Sequence, residues 1–228
     1  MYHTNTATFH LSNKQTMTQK ERYTGVLSYF AKQMPNPATE LHYNSPFEIL
    51  VAVMLSAQCT DKRVNLVTPA LFKSYPTAQT MAKATAADIL QFVSSVSYPN
   101  SKAKHLQAMA AMLIDKFNGE VPDNMTDLTS LPGVGRKTAN VVMGTVFNKP
   151  TIAVDTHVFR VANRIGLAKG KTPLEVENTL TKNIPPELRY KAHHWLLLHG
   201  RYICKSQRPD CLNCPITQFC TYFSKLSK

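Results

Sequence analysis

The chain has 228 residues, with 26 lysines and arginines against 14 aspartates and glutamates, and a formal net charge of +12. That length suits one large domain or two modest ones with a real core, and the charge makes a polyanion the expected partner, although the same charge also serves solubility. The longest apolar run, 49–55, is too short to cross a bilayer, and the N-terminal residues lack the apolar stretch of a secretory signal; a cytoplasmic protein in a reducing compartment, with no membrane partner, is expected.

Residues 1–16 carry no apolar periodicity and read as a disordered tail or a mis-called start, with Met17 as the alternative first residue. From Lys20 the pattern turns helical. Val26, Tyr29, Phe30 and Met34 recur at the spacing of one helix face, and Pro35 and Pro37 close that helix. Ser45 can cap the next, with Pro46 at its first position and Glu48 beyond it. Its body, 47–57, is apolar nearly all round, as a buried central helix would be. Further helices are expected near 60–73, 86–95, 101–117, 125–130, 136–147, 156–165, 173–182, 187–199 and 215–224. No sustained period-two alternation occurs, and no Asn-Gly or Asp-Gly hairpin joins two strand-like runs. The fold class is therefore all-α.

Residues 131–138 read LPGVGRKT. Pro132-Gly133-Val134-Gly135 makes a tight turn between a helix ending near Leu131 and one opening at Arg136. Glycine permits positive φ and close backbone approach. The unpaired N–H groups at the new helix start, aligned with its dipole, form an anion site. A DNA phosphate suits a basic chain, which makes Leu131, Gly133, Val134, Gly135 and Arg136 candidate DNA-binding residues. An ordinary helical corner without a ligand is the alternative. Lys137 lies in the first turn of that helix. The helix's positive end, Arg136 beside it and partial burial all disfavour its ammonium, which suits an amine nucleophile; a plain phosphate contact is the bland reading. Asp155 comes eighteen residues later. The helix rises roughly 18 Å at about 1.5 Å per residue. The partly extended 148–155 can return up to roughly 26 Å at about 3.3 Å per residue. Asp155 can thus come back beside Lys137 and handle its proton, and it can also cap the helix that follows.

Cys204, Cys211, Cys214 and Cys220 follow the pattern Cys-x6-Cys-x2-Cys-x5-Cys. Four thiolates that close converge on one soft metal centre. Zinc and a [4Fe–4S] cluster both accept four cysteines, and spacing does not choose between them. Disulfides are disfavoured by the compartment. Cys59 is expected to be a small buried hydrophobe. His193, His194, Trp195 and His199 are assigned packing rather than chemistry. Arg160 and Arg164, one turn apart, either pair with acids or face DNA.

LPGVGRKTAN at 131–140, VDTH at 154–157 and the cysteine spacing closely resemble the endonuclease III family of helix-hairpin-helix DNA glycosylases. LSAQ at 55–58, NGEV at 118–121, HHW at 193–195 and HGR at 199–201 extend the resemblance over about 39–222. It implies a [4Fe–4S] cluster rather than zinc. It also implies a two-lobed fold: a six-helix bundle at 39–149 with the hairpin, and a cluster domain built from 17–38 and 150–228, with the DNA cleft between. The implied activity is that of a bifunctional DNA glycosylase/AP lyase of base-excision repair, acting on oxidised pyrimidines in duplex DNA. Lys137 would attack the sugar C1′, the Schiff base would allow β-elimination, and Asp155 would relay the proton and steady the oxocarbenium-like sugar. Gln58 would fill the gap left by the extruded base. At a second wedge position the family usually carries Ile-Gly-Leu-Tyr-Asn-Ser-Lys-Ala, whereas this chain has VSYPNSKA at 96–103. Ser97 replaces the glycine, Tyr98 the wedge leucine, and Pro99 follows. Tyr98 can stack on an orphaned base, and Pro99 would stiffen the loop. In the cluster loop Lys205 and Arg208 are the candidate phosphate contacts, partly offset by Asp210. A monomer is expected, nucleoid-associated in a bacterium, and acting without a divalent metal because the nucleophile would be an amine. The alternatives are a pyrimidine-dimer glycosylase, an adenine-mismatch glycosylase (which usually has serine at the Lys137 position), and a non-catalytic Fe–S DNA-binding module.

Overall fold

The computed structural model describes residues 17–226, so the reading of 1–16 falls outside the described residues. Among those described there are helices and no strand. In chain order they are α1 Gln19–Gln33, α2 Pro46–Leu55, α3 Asp61–Ser74, α4 Ala78–Ala82, α5 Ala86–Val93, α6 Pro99–Phe117, α7 Met125–Ser130, α8 Arg136–Phe147, α9 Thr156–Ile165, α10 Pro173–Asn183, α11 Pro186–Tyr202, a 3-10 turn Thr217–Phe219, and α12 Thr221–Leu226.

Most starts carry a side-chain cap. Thr18, Ser45, Thr60, Thr77, Thr85, Asn124, Asp155 and Thr172 each accept a backbone N–H from the first turn they precede. Helices α6, α8 and α11 differ: Tyr98, Gly135 and Pro185 stand at the cap positions and accept no such bond. Some elements depart from the sequence reading. Helix α4 went unforeseen because five residues are too few to display a period. Helix α6 begins two residues earlier than expected, because Pro99, expected to stiffen a loop, takes its first position, where its fixed φ fits. The segment expected near 215–224 divides at Cys220 into a 3-10 turn and a short helix.

Two apolar clusters hold the fold. The first gathers around α2, whose Ile49, Leu50, Val51, Ala52 and Leu55 are sealed from solvent among Leu71, Ile89, Leu106, Met109, Leu113 and Val142. The second joins Tyr23, Val26 and Phe30 of α1 to Val158, Val161 and Ile165 of α9, Leu180 of α10 and Trp195 of α11. Each large apolar side chain so buried stabilises by about 1.5–3 kcal/mol. The chain passes from one cluster to the other over 152–154: Ala153 packs in the first, Ile152 and Val154 in the second.

Helix α1 closes the second cluster against the far end of the chain. Gln19 Nε2 donates to Gly166 O at 3.1 Å and Tyr23 Oη to Leu167 O at 2.7 Å. Arg22 donates to Phe219 O. Trp195 stacks on Phe30 at 6.1 Å and donates Nε1–H to Met34 O at 2.8 Å. Gly25 lets α1 approach this closely, because a Cβ there would overlap the Phe219 ring, which itself packs on the second cluster. Gly25→Val should therefore lower the unfolding free energy by roughly 1–3 kcal/mol, read as a fall in thermal midpoint beside wild type.

Candidate active site

The hairpin presents backbone rather than side chains. Leu131 is 2% exposed and Val134 6%, so these two candidates pack inward and offer only main-chain groups. Val134 N donates to Leu131 O at 3.0 Å, closing the turn. Gly133 has φ +78°, and a Cβ there would lie 2.8 Å from His105 Cβ, so this turn needs glycine twice over. Gly133 and Gly135 are exposed, and α8 begins without a side-chain cap. Its first N–H groups are thus free of a capping side chain.

Lys137 follows in the first turn of α8 and lines a cleft between the two clusters. Gln58, Asp61, Asp155, His157, His193 and Arg201 share that cleft. Part of the lysine's surface is open, but its ammonium is ringed by protein. Burial pushes its pKa down, Asp155 and Asp61 pull it up, and Arg201 pushes it down. Arg136, expected to act as the neighbouring cation, does not supply that push. It forms a bidentate pair with Glu177 of α10, Nη2 to Oε1 at 2.7 Å and Nε to Oε1 at 3.0 Å. The cation that bears on Lys137 is Arg201, whose Nη1 lies 3.0 Å from Asp61 Oδ2 and also pairs with Glu40. Asp155 caps α9 through Oδ1, accepting Val158 N–H at 2.8 Å. That bond fixes its carboxylate at the cleft wall.

The other candidates fall at two further places. Gln58 and Tyr98 are exposed neighbours at the ends of α2 and α6, joined by Ser97 Oγ donating to Gln58 O at 2.6 Å. Lys205 and Arg208 are exposed on the cysteine loop, where Asp210 is occupied by Asn213 Nδ2 at 3.0 Å. Arg160 and Arg164 neither pair with acids nor turn outward to DNA. Arg160 Nε donates to Cys204 O at 3.1 Å and its Nη2 to Gly200 O at 2.8 Å. Arg164 donates to Lys205 O at 2.6 Å and Ser206 O at 3.0 Å, beneath the Tyr222 ring. Both arginines fasten the loop that begins at Cys204.

All four clustered cysteines are free thiols. They line one narrow recess, walled by Ile165, Ile203, Pro209 and Ile216. Among the described residues no three Cys, His, Asp or Glu side chains converge tightly enough for a single metal ion. Four soft donors around one recess are the donor set that both a zinc ion and a [4Fe–4S] cluster accept. Cys59 lies apart and is half-buried against the first cluster, not fully enclosed as expected.

Residues 51–186 match the HhH-GPD superfamily of base excision DNA repair proteins. The chain belongs to that superfamily. This HhH-GPD protein is 51% identical over 201 residues to the endonuclease III of Rickettsia conorii, covering 88% of this chain and 96% of the relative. It is 44% identical over 201 residues to the endonuclease III of Escherichia coli K12, covering 88% and 95%. A structure described as a trapped endonuclease III–DNA covalent intermediate, the estranged-adenine complex, superposes with a TM-score of 0.88 at 45% identity, covering 93% of this chain and 100% of that one. A thermostable thymine-DNA glycosylase shares the fold at 22% identity, with a TM-score of 0.79 and coverage of 91% and 97%. No described helix of the HhH-GPD chain is long and apolar enough to cross a membrane.

Glu40, Asp61, His193, His194 and Arg201 were not singled out as cleft residues from sequence. A signal existed on α11: His193, Leu197 and Arg201 recur every fourth residue, and all three face the cleft. His193 places Nδ1 2.8 Å from Ala153 O. His194 meets the Tyr190 ring edge-on at 4.6 Å. Burial pushes the pKa of both down, His194 to about 3. The unfolded chain, with histidines near 6.5, then binds more protons than the folded one at mildly acid pH. Their contribution to stability is full above that value and is lost as pH falls toward the folded pKa. The thermal midpoint should be lower at about pH 5 than at about pH 7, and His194→Phe should flatten that dependence.

Proposed function

We propose that this HhH-GPD chain, a base-excision repair DNA glycosylase/AP lyase, removes oxidised pyrimidines from duplex DNA through a Schiff base on Lys137. The observation that carries the reading is the cleft itself: an amine whose ammonium is disfavoured by burial, lined by a carboxylate that helix capping holds in place. In the proposed sequence the neutral Lys137 Nζ attacks C1′ of the extruded nucleotide. The glycosidic bond breaks and the base leaves with its bonding electrons and a proton. The sugar ring opens to an imine on Nζ. That imine acidifies the C2′ hydrogen, and its removal expels the 3′ phosphate by β-elimination. Asp155 takes part in the proton transfers and steadies positive charge on the sugar. The uncapped start of α8, with Gly133 and Gly135, receives a backbone phosphate. Lys205 and Arg208 add charge from the cysteine loop, and Gln58 and Tyr98 enter the duplex where the base has left. The trapped covalent intermediate described for the endonuclease III that superposes on this chain supports such a bond to DNA.

The same reading assigns a [4Fe–4S] cluster to Cys204, Cys211, Cys214 and Cys220. Their free thiols around one cavity support it. When bound, the cluster supplies a rigid anchor for the loop that carries Lys205 and Arg208. The two apolar clusters are read as two domains, 39–149 and 17–38 with 150–228, acting as a monomer on DNA in a bacterial cytoplasm.

Borohydride trapping on a duplex with one thymine glycol tests the nucleophile. Wild type should give a covalent protein–DNA band and Lys137→Gln none; base release by wild type without a band would point to activated water instead. Asp155→Asn should slow the reaction on the order of 10²-fold. It should also move the acid limb of the pH–rate profile to lower pH, because the lost carboxylate had raised the Lys137 pKa. Purified protein should absorb in the visible and contain iron and sulfide, unlike a colourless zinc site, and Cys211→Ser should diminish both.

A further inference from the structure

Gln58 and Tyr98 share an unusual backbone. Both are non-glycine residues in the left-handed region, at φ 53° and 55°, where few such residues sit unless their surroundings hold them. What holds them is a set of side chains from the segment that carries Tyr98. Ser97 Oγ donates to Gln58 O at 2.6 Å. Lys102 Nζ donates to Leu55 O and to Ala57 O, each at 2.7 Å. Three charged or hydroxyl donations thus meet the carbonyls that close α2. On the other side, Lys102 N bonds Tyr98 O at 3.1 Å, and Pro99 fixes the first φ of α6.

These bonds end on backbone oxygens, so neither prong spends its own side chain on them. Tyr98 is 65% exposed, and Gln58 is exposed beside it. A recess lined by Met54, Gln58, Tyr98, Lys102, His105 and Gly133 lies between them. The prongs therefore flank a space next to the hairpin instead of packing on each other. Lys102 satisfies helix-end carbonyls, as many lysines do. Ser97 is different, because a glycine at this place, as the family usually has, carries no hydroxyl to reach Gln58.

We propose that Ser97 is a positioning residue which, with Lys102, locks Gln58 and Tyr98 into one rigid two-pronged wedge before DNA arrives. The inference rests on the glycosylase reading above and adds how this chain prepares the insertion step. A loop that is already in shape loses less conformational freedom on entering the duplex. Removing the Ser97 hydroxyl then slows the step that opens the duplex and leaves the lysine chemistry intact.

The test compares two substrates under single turnover. One is a duplex with a single thymine glycol, which needs the wedge. The other is a single-stranded oligonucleotide with a preformed abasic site, which does not. Ser97→Ala should slow base release from the duplex by about three- to tenfold, the effect of one ordinary hydrogen bond, with cleavage of the single strand unchanged. Ser97→Thr, which keeps a hydroxyl, should stay near wild type on both. Equal duplex rates for Ser97→Ala and wild type would overturn the proposal. So would a parallel loss on both substrates, which would make Ser97 a residue of the fold alone. Wild type inert on both would overturn the glycosylase/lyase reading itself, and the wedge with it.

Discussion

Lys137 is desolvated because two separately packed apolar clusters meet on either side of it, and most of the chemistry argued above follows from that meeting. A lysine on an exposed helix start would stay protonated near neutral pH, whatever the dipole contributes. Here α8 comes from the first cluster, while the facing wall comes from α9 and α11 of the second. The chain crosses between clusters over 152–154, immediately before Asp155. The carboxylate beside the amine is therefore placed by the same crossing that makes the cleft. Its capping bond to Val158 sets its orientation.

Three ion pairs, made by two arginines, tie the two sides together. Arg136 of α8 reaches Glu177 of α10, and Arg201 of α11 reaches Glu40 and Asp61. Each joins a residue beside or within the first cluster to one of the second. Partly exposed pairs of this kind contribute little to stability. Their value lies in register, since each cation is committed to a partner on an element of the other side. Arg201 also tempers Lys137, with Asp61 acting in the opposite sense. The charge state of Lys137 is thus a balance struck by both walls.

How much of this was legible in the sequence depended on where each residue's partner lies. Helix starts were readable because their caps are local: Ser45, Asp155 and Thr172 bond residues three positions ahead. Lys137 and Asp155 could be brought together by counting residues, because a helix and a short return have known reach. Arg160 and Arg164 could not be placed. Their partners are backbone carbonyls some forty residues on, and a carbonyl leaves no mark in a sequence. Arg136 was misjudged for a related reason, since the nearest residue in sequence, Lys137, was taken as its concern when Glu177 had claimed it. Leu131 and Val134 belong to the hairpin motif, yet their side chains serve the core, a division the motif does not reveal.

The latch of α1 onto the far end of the chain bears on how the protein forms. The first cluster draws on 41–153, so it can condense on the ribosome while the rest is still being made. The second has no such freedom. Its opening helix emerges early, but the residues it grips, Leu167, Trp195 and Phe219, come much later. Until then α1 has an apolar face and nothing to cover it. The cleft, and with it the environment that alters Lys137, needs α9 and α11 as well as α8, so it cannot form until the residues through Arg201 have been made.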